Sequence, residues 1–215
     1  MAPLIDPASE EYALAHTTPL ADSLQAAADW TAANSDAPQM MAGLAEARLL
    51  QALIVATGAK QVLEIGTFTA VGALSMAAAL PSGGRITTLE VDPDNAAVAA
   101  RHIEASPYAD RIELILGDAR ETLSQLSGPF DVVWIDAWKD DYPFYFDAVR
   151  EKLSPRGVIA ADNLFRAGAT LDTTNNDPGT IGLRQYAEQV QADPDFDDVL
   201  LTIGDGVMLA WRRPQ

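Results

Sequence analysis

Apolar positions change rhythm near Lys60. Before that point, Leu20 to Ala33 and Pro38 to Thr57 are rich in Ala, Leu, Gln and Glu, with apolar residues at helical spacing, and both predict helices. Ser35, Asp36 and Pro38 mark a break and a restart between them. Beyond Lys60, short apolar runs alternate with helical segments. Gln61–Ile65 precedes Val71–Leu80, Arg85–Leu89 precedes Asn95–Glu104, and Arg111–Leu116 precedes Glu121–Leu126. Asp131–Ile135 is then followed by Phe144–Leu153, and Gly157–Ala161 by Ile181–Gln191. The runs are apolar nearly throughout and bounded by Gly, Pro or Asp, as strands buried on both faces are. Strand–helix alternation predicts an α/β fold, a doubly wound, mostly parallel sheet with helices on both faces. The end differs: Val199–Ile203 and Val207–Trp211 flank Gly204-Asp205-Gly206, a hairpin signal that makes the last strand antiparallel. A length of 215 residues suits one domain, with residues 1–60 as a helical cap on a Rossmann-like core over residues 61–215.

Composition narrows the chemistry. There is no cysteine, which excludes disulfides, thiolate metal sites and cysteine nucleophiles; any metal is held by oxygen or by the two histidines, His16 and His102. The formal net charge of −17 argues against nucleic acid and against anionic membranes, both of which call for Lys and Arg. Met1 to Ser9 carries no basic residue and no apolar run, unlike a secretory signal, and stretches such as Ala73 to Leu80 are too short to span a bilayer. A cytoplasmic protein acting on a small molecule is expected.

In a doubly wound sheet, ligands bind beyond the carboxyl ends of the strands. The first predicted strand ends in Glu64-Ile65-Gly66-Thr67-Phe68-Thr69, where the glycine lets backbone approach a ligand and the next helix offers free N–H groups. The same turn would form without a ligand. Glu90 ends the second strand, placed to accept hydrogen bonds from ribose hydroxyls; Asp92 and Asp94 can cap the following helix, which leaves Glu90 spare. Gly66 with Glu90 points to an adenosine-containing ligand. Phe68 stands where a second glycine would admit a pyrophosphate, which favours a ligand lacking one over a nicotinamide cofactor. After the third strand, Asp118 serves equally as a helix cap or as an acceptor for an adenine amino group.

The fourth strand ends at Asp136 and the fifth in Asp162-Asn163. Neighbouring strand ends bring the two carboxylates together, and a divalent cation would relieve their repulsion. Two carboxylates and an amide are hard oxygen ligands suited to Mg²⁺, Ca²⁺ or Mn²⁺. The acids could instead cap helices at the rim. Lys139, three residues past Asp136, is a candidate general base, or a salt bridge to Asp140 or Asp141; Trp138 is placed to pack on adenine or to line the acceptor.

Taken together these residues resemble the metal-dependent O-methyltransferases of the caffeoyl-CoA and catechol type, from about Met40 to Arg212. The matches are Val62-Leu63-Glu64-Ile65-Gly66-Thr67-Phe68-Thr69, Ile135-Asp136-Ala137-Trp138-Lys139, Ala161-Asp162-Asn163 and Ile203-Gly204-Asp205-Gly206. The resemblance implies a seven-stranded sheet with an antiparallel last strand, S-adenosylmethionine as methyl donor, a divalent cation, a homodimer, and a small hydroxylated, catechol-like acceptor. It implies that Asp136, Asp162 and Asn163 hold the metal, that Lys139 is the base and that Asn163 also lies near the acceptor oxygen. Glu90 would take the ribose and Asp118 with Ala119 the adenine side. Glu64, Gly66, Thr67, Gly72 and the backbone around Ala42 would surround the methionine part, with Asp136, Trp138 and Tyr145 nearby. Where the family continues Gly-Tyr-Ser, this chain has Ala70, Val71 and Gly72, so no serine hydroxyl reaches the cofactor carboxylate. The acceptor pocket falls to the N-terminal helices and the loop from Leu164 to Thr180, whose Asp172, Asn175, Asn176 and Asp177 suggest a polar lid. A non-catalytic protein holding an adenosine ligand, and a nicotinamide-dependent oxidoreductase, are the competing readings.

Overall fold

The computed structural model describes residues 6–214, so the first five residues of the Met1 to Ser9 stretch lie outside it. Seven strands form one sheet: β1 (Gln61–Ile65), β2 (Arg85–Glu90), β3 (Ile112–Leu116), β4 (Phe130–Ile135), β5 (Leu153–Ala161), β6 (Phe196–Leu201) and β7 (Val207–Arg212). Their order is β3-β2-β1-β4-β5-β7-β6. Pairings among β1 to β5 are parallel, and β7 runs antiparallel to both β5 and β6. This is the predicted Rossmann-like sheet. The order reverses between β1 and β4, the switch point at which such sheets open a crevice.

The described residues include eight α-helices: α1 (Pro7–Ala15), which buries no residue, and α2 (Asp22–Asn34), α3 (Leu44–Thr57), α4 (Val71–Ala77), α5 (Pro93–Glu104), α6 (Ala119–Gln125), α7 (Tyr142–Arg150) and α8 (Pro178–Ala192). Alternation along β4 shows how the faces divide. Val132 and Trp134 pack with Leu50 and Ile54 of α3 and Met76 of α4, while Val133 and Ile135 pack with Leu123 of α6, Phe146 of α7 and Leu183 of α8. A further buried cluster joins Leu24 and Ala28 of α2 to Leu74 of α4 and Ile103 of α5.

The predicted helix from Pro38 to Thr57 is interrupted. Pro38–Met40 makes one 3₁₀ turn, Met41 is extended, and Gly43, also extended, caps α3. Glycine is a poor helix residue, and its break lets Ala42 face the crevice. By length and composition this segment could cross a bilayer. In the fold, Ala47, Leu50 and Ile54 of its continuous part are buried. Other boundaries move by a few residues. Pro143 sits in the first turn of α7, so that helix starts at Tyr142, and β5 starts at Leu153, paired with Phe130.

Candidate active site

Strand register builds the site. Ile65 is level with Leu89 and Ile135, and Ile135 with Ala161. The next residue of each strand therefore emerges at one rim: Gly66, Glu90, Asp136 and Asp162. The ladder continues one step further, with Asp136 N donating to Ile65 O at 2.9 Å and Asp162 N to Ile135 O at 3.0 Å. A cavity of about 950 Å³ opens there. The residues that sequence and resemblance assign to cofactor, cation and catalysis all line it: Ala42, Glu64, Gly66, Thr67, Gly72, Glu90, Asp118, Ala119, Asp136, Trp138, Lys139, Tyr145, Asp162 and Asn163; of the four polar residues suggested as a lid only Asp177 does.

At the β1 end of the cavity, Gly66 has φ +101°, and a Cβ there would stand 2.2 Å from the Asp136 carbonyl oxygen. The glycine is thus required by the end of β4, before any ligand is considered. Phe68 and Ala70 also have positive φ, at 49° and 72°. For alanine the left-handed region costs roughly 1 kcal/mol relative to glycine. Glu90 is not spare. One carboxylate oxygen accepts from Phe68 N at 2.7 Å, and the other from Val91 N at 3.0 Å and Asp92 N at 2.9 Å. It ties β2 to the glycine loop, while Asp92 caps α5 as expected. Burial raises its pKa, and the three N–H donors oppose that. Glu64 is fully buried. Burial pushes it up to about 8, against the hydrogen bond from Thr88. Thr88 in turn bonds Thr67 at 2.5 Å.

Asp118 is the cap of α6, accepting from Arg120 N at 2.8 Å, and its carboxylate pairs with the Arg120 side chain at 2.7 Å. Those bonds lower its pKa. Both of its sequence readings are therefore compatible with its position. Tyr145 is buried on α7, whereas Trp138 stands at the cavity mouth, 67% exposed.

At the β5 end of the cavity, Asp162 is only 4% exposed. Burial, then the charge of Asp136, hold its carboxyl well above the usual range, with the Asn163 N–H opposing them. Asn163 has φ +62°, a conformation asparagine tolerates. Lys139 does not pair with Asp140 or Asp141. Its Nζ donates to Asp136 Oδ1 at 2.7 Å and to the Tyr142 hydroxyl at 3.0 Å. Among the described residues no group of three His, Asp or Glu side chains forms a metal cluster.

Four further residues belong to this end. Tyr142 is buried, and its hydroxyl lies 3.1 Å from Asp162 O and 3.2 Å from Ile135 O, bridging both strand ends to Lys139. Its only sequence signal is its offset of three from Lys139. Glu46, Arg166 and Asp205 line the cavity from α3, the loop after β5 and the β6–β7 turn. Burial raises the pKa of Glu46 and of Asp205. Nothing in the local sequence marks Glu46 or Arg166, and Asp205 is marked only by its place in the Gly204-Asp205-Gly206 turn; three distant segments carry the three residues. The polar residues of the loop after β5 form turns rather than a lid surface. Asp172 accepts from Thr174 N, Asn175 from Asp177 N, and Asp177 caps α8, all at about 3 Å. Arg184 clasps this loop through the carbonyls of Ala169, Thr170, Asp172 and Asn175.

Residues 15–213 match the family model described as O-methyltransferase. The chain belongs to the O-methyltransferase family. A catechol O-methyltransferase of Niastella koreensis is 34% identical over 88% of this chain and 89% of that protein. An O-methyltransferase of Bacillus cereus, solved with S-adenosylhomocysteine, superposes with TM-score 0.88 at 32% identity, covering 96% of this chain and 97% of that one. TomG of Streptomyces achromogenes, an O-methyltransferase involved in tomaymycin synthesis and solved with S-adenosylmethionine, gives 0.88 at 29% identity, covering 96% of each chain. This O-methyltransferase is accordingly an S-adenosylmethionine-dependent enzyme, and the nicotinamide and non-catalytic readings fall. In its glycine loop Ala70 stands in strained backbone and Gly72 lies beneath the Glu64 carboxyl.

Proposed function

We propose that this O-methyltransferase methylates a hydroxyl of a small catechol-like or vicinal-diol acceptor, with a divalent cation held by Asp136, Asp162 and Asn163. The observation that carries this reading is the buried Asp162 beside Asp136, with Lys139 bonded to the same Asp136, in the cavity that also contains the glycine loop. Two carboxylates at one buried rim, only one of them covered by an ammonium, suit a cation. Their hard oxygens favour Mg²⁺, Ca²⁺ or Mn²⁺. When bound, such a cation acidifies and orients an acceptor hydroxyl, and S-adenosylmethionine supplies an electrophilic methyl on sulfur.

The residues of the chain do the rest. Glu64, Gly66, Thr67, Gly72 and the backbone at Ala42 enclose the methionine part of the cofactor, Glu90 faces the ribose, and Asp118 with Ala119 the adenine. Lys139 acts as base only after its ammonium has passed one proton to bulk water; the resulting amine then takes the acceptor proton at Nζ and returns to the ammonium, and Tyr142 holds that nitrogen in place. As the oxygen–methyl bond forms, the sulfur–methyl bond breaks and its electron pair stays on sulfur. Holding the two reactants in line supplies much of the rate. Tyr145 and Trp138 wall the cavity, Trp138 at the entrance.

The test is a methylation assay on catechol with labelled S-adenosylmethionine, with and without chelator, alongside calorimetric titration with S-adenosylhomocysteine. Cation-dependent label transfer to one ring hydroxyl is expected. Binding without transfer to any diol would overturn the acceptor class, and transfer undiminished in chelator would overturn the cation.

A further inference from the structure

The cofactor loop is held from behind by two residues that touch neither the cavity nor the reaction. We propose that Thr31 on α2 and His102 on α5 are positioning residues that clamp Thr69 and so keep the strained loop in its cofactor-binding shape. His102 Nδ1 lies 2.9 Å from the Thr69 carbonyl oxygen. A carbonyl only accepts, so Nδ1 carries the proton, and the ring's tautomer is fixed by this bond. The Thr31 hydroxyl lies 2.8 Å from the Ala27 carbonyl and 2.9 Å from the Thr69 hydroxyl. One hydroxyl proton cannot serve both. Thr31 gives its proton to Ala27 O, and the Thr69 hydroxyl donates to Thr31.

Both sides of Thr69, its carbonyl and its side chain, are thereby fixed, between two residues with positive φ, Phe68 and Ala70. Thr31, Thr69 and Ala70 are buried, so these bonds have little competition from water. Trp30, next to Thr31, packs edge-on against the His102 ring with centroids 5.1 Å apart, and Arg101 lies over the Trp30 ring at 5.7 Å. The contact joins α2 to α5 across the back of the loop. A glycine at position 70 would hold the left-handed conformation by itself; an alanine there needs an outside restraint, and Thr69, one residue before, is where the restraint is applied. Helix α2 thus takes part in cofactor binding without lining the cavity.

The inference rests on the cofactor occupying the glycine loop, and the experiment separates the two. S-adenosylhomocysteine is titrated by calorimetry into the unaltered protein, His102→Ala, His102→Asn, Thr31→Val and Ala70→Gly, and into His102→Ala combined with Ala70→Gly. Melting curves show which variants are folded. Loss of one hydrogen bond corresponds to about five- to tenfold weaker binding in His102→Ala and in Thr31→Val. Asparagine can donate from nearly the position of Nδ1, so His102→Asn should bind within about twofold of the unaltered protein. Adding Ala70→Gly to His102→Ala should recover most of the lost affinity, because glycine removes the strain that the clamp opposes. Unchanged affinity in both His102→Ala and Thr31→Val overturns the clamp, as does an equal loss with and without Ala70→Gly. If Thr31→Val unfolds, the His102 series decides alone. Absence of binding by the unaltered protein overturns the cofactor's place at the loop, and the clamp with it.

Discussion

The Glu64 carboxyl fills the space above Gly72: a Cβ on that glycine would stand 2.4 Å from Glu64 Oε1. A side chain at position 72 therefore forces Glu64 to move, and the movement breaks its hydrogen bond with Thr88. Position 72 is glycine, and the buried Glu64 carboxyl takes the room that a side chain there would need. We expect Gly72→Ala to destabilise the ligand-free protein by about 1–2 kcal/mol, the value of a buried hydrogen bond. In a Thr88→Val background the same change should cost less, because the bond is already gone. Chemical denaturation of the four proteins measures this. Equal costs in both backgrounds would show that Glu64 yields without breaking that bond.

Lys139 and Tyr142 separate chemistry from binding. Lys139→Ala should lower kcat by about 10²–10⁴, the usual range for a general base, while S-adenosylhomocysteine affinity stays within about twofold. Tyr142→Phe keeps the ring and removes only the hydroxyl that holds Nζ; a fall in kcat of about five- to tenfold is expected, again with binding retained. Steady-state kinetics paired with calorimetry reads both. Unchanged turnover in Lys139→Ala would remove it from the role of base.

Chelation should suppress turnover of the unaltered enzyme by at least about tenfold, with recovery on adding Mg²⁺. Asp162→Ala should show low turnover that neither chelator nor Mg²⁺ changes. Full activity of that variant in chelator would sink the assignment of Asp162 as a ligand.

Stability of the ligand-free protein should fall as pH rises from about 5 to 8. Glu64 has an ordinary value of 4.5 and is pushed up to about 8 in the fold. Between those values the folded state holds the proton and the unfolded chain does not, so rising pH favours unfolding. Asp162, Glu90 and Glu46 are shifted in the same direction by burial. Glu64→Gln removes one such group, so its melting temperature should vary less across this window. Melting curves at pH 5 and pH 8 check it; an equal pH dependence in the variant would mean that Glu64 ionises in the fold as readily as in water.

Much of this protein was legible in its sequence, because the signals are local. Short apolar runs bounded by Gly, Pro and Asp specify strands buried on two faces, and Gly204-Asp205-Gly206 specifies the closing hairpin. Since ligands sit at carboxyl strand ends, Gly66, Glu90, Asp136 and Asp162-Asn163 could be placed in one crevice before any coordinates. The family resemblance extended that set to Ala42 and Tyr145. What the tertiary structure decided is what depends on contacts between distant segments. Gly66 is glycine because the Asp136 carbonyl leaves no room for a Cβ. Lys139 pairs with Asp136 and not with its acidic neighbours in sequence, since Tyr142 and the β4 end draw Nζ inward. Glu90 accepts from one backbone N–H of the loop, that of Phe68, and from those of its own neighbours Val91 and Asp92. Glu46 and Asp205 reach the cavity, and Thr31 and His102 the back of its glycine loop, from four separate elements, and no spacing along a chain encodes a meeting of that kind.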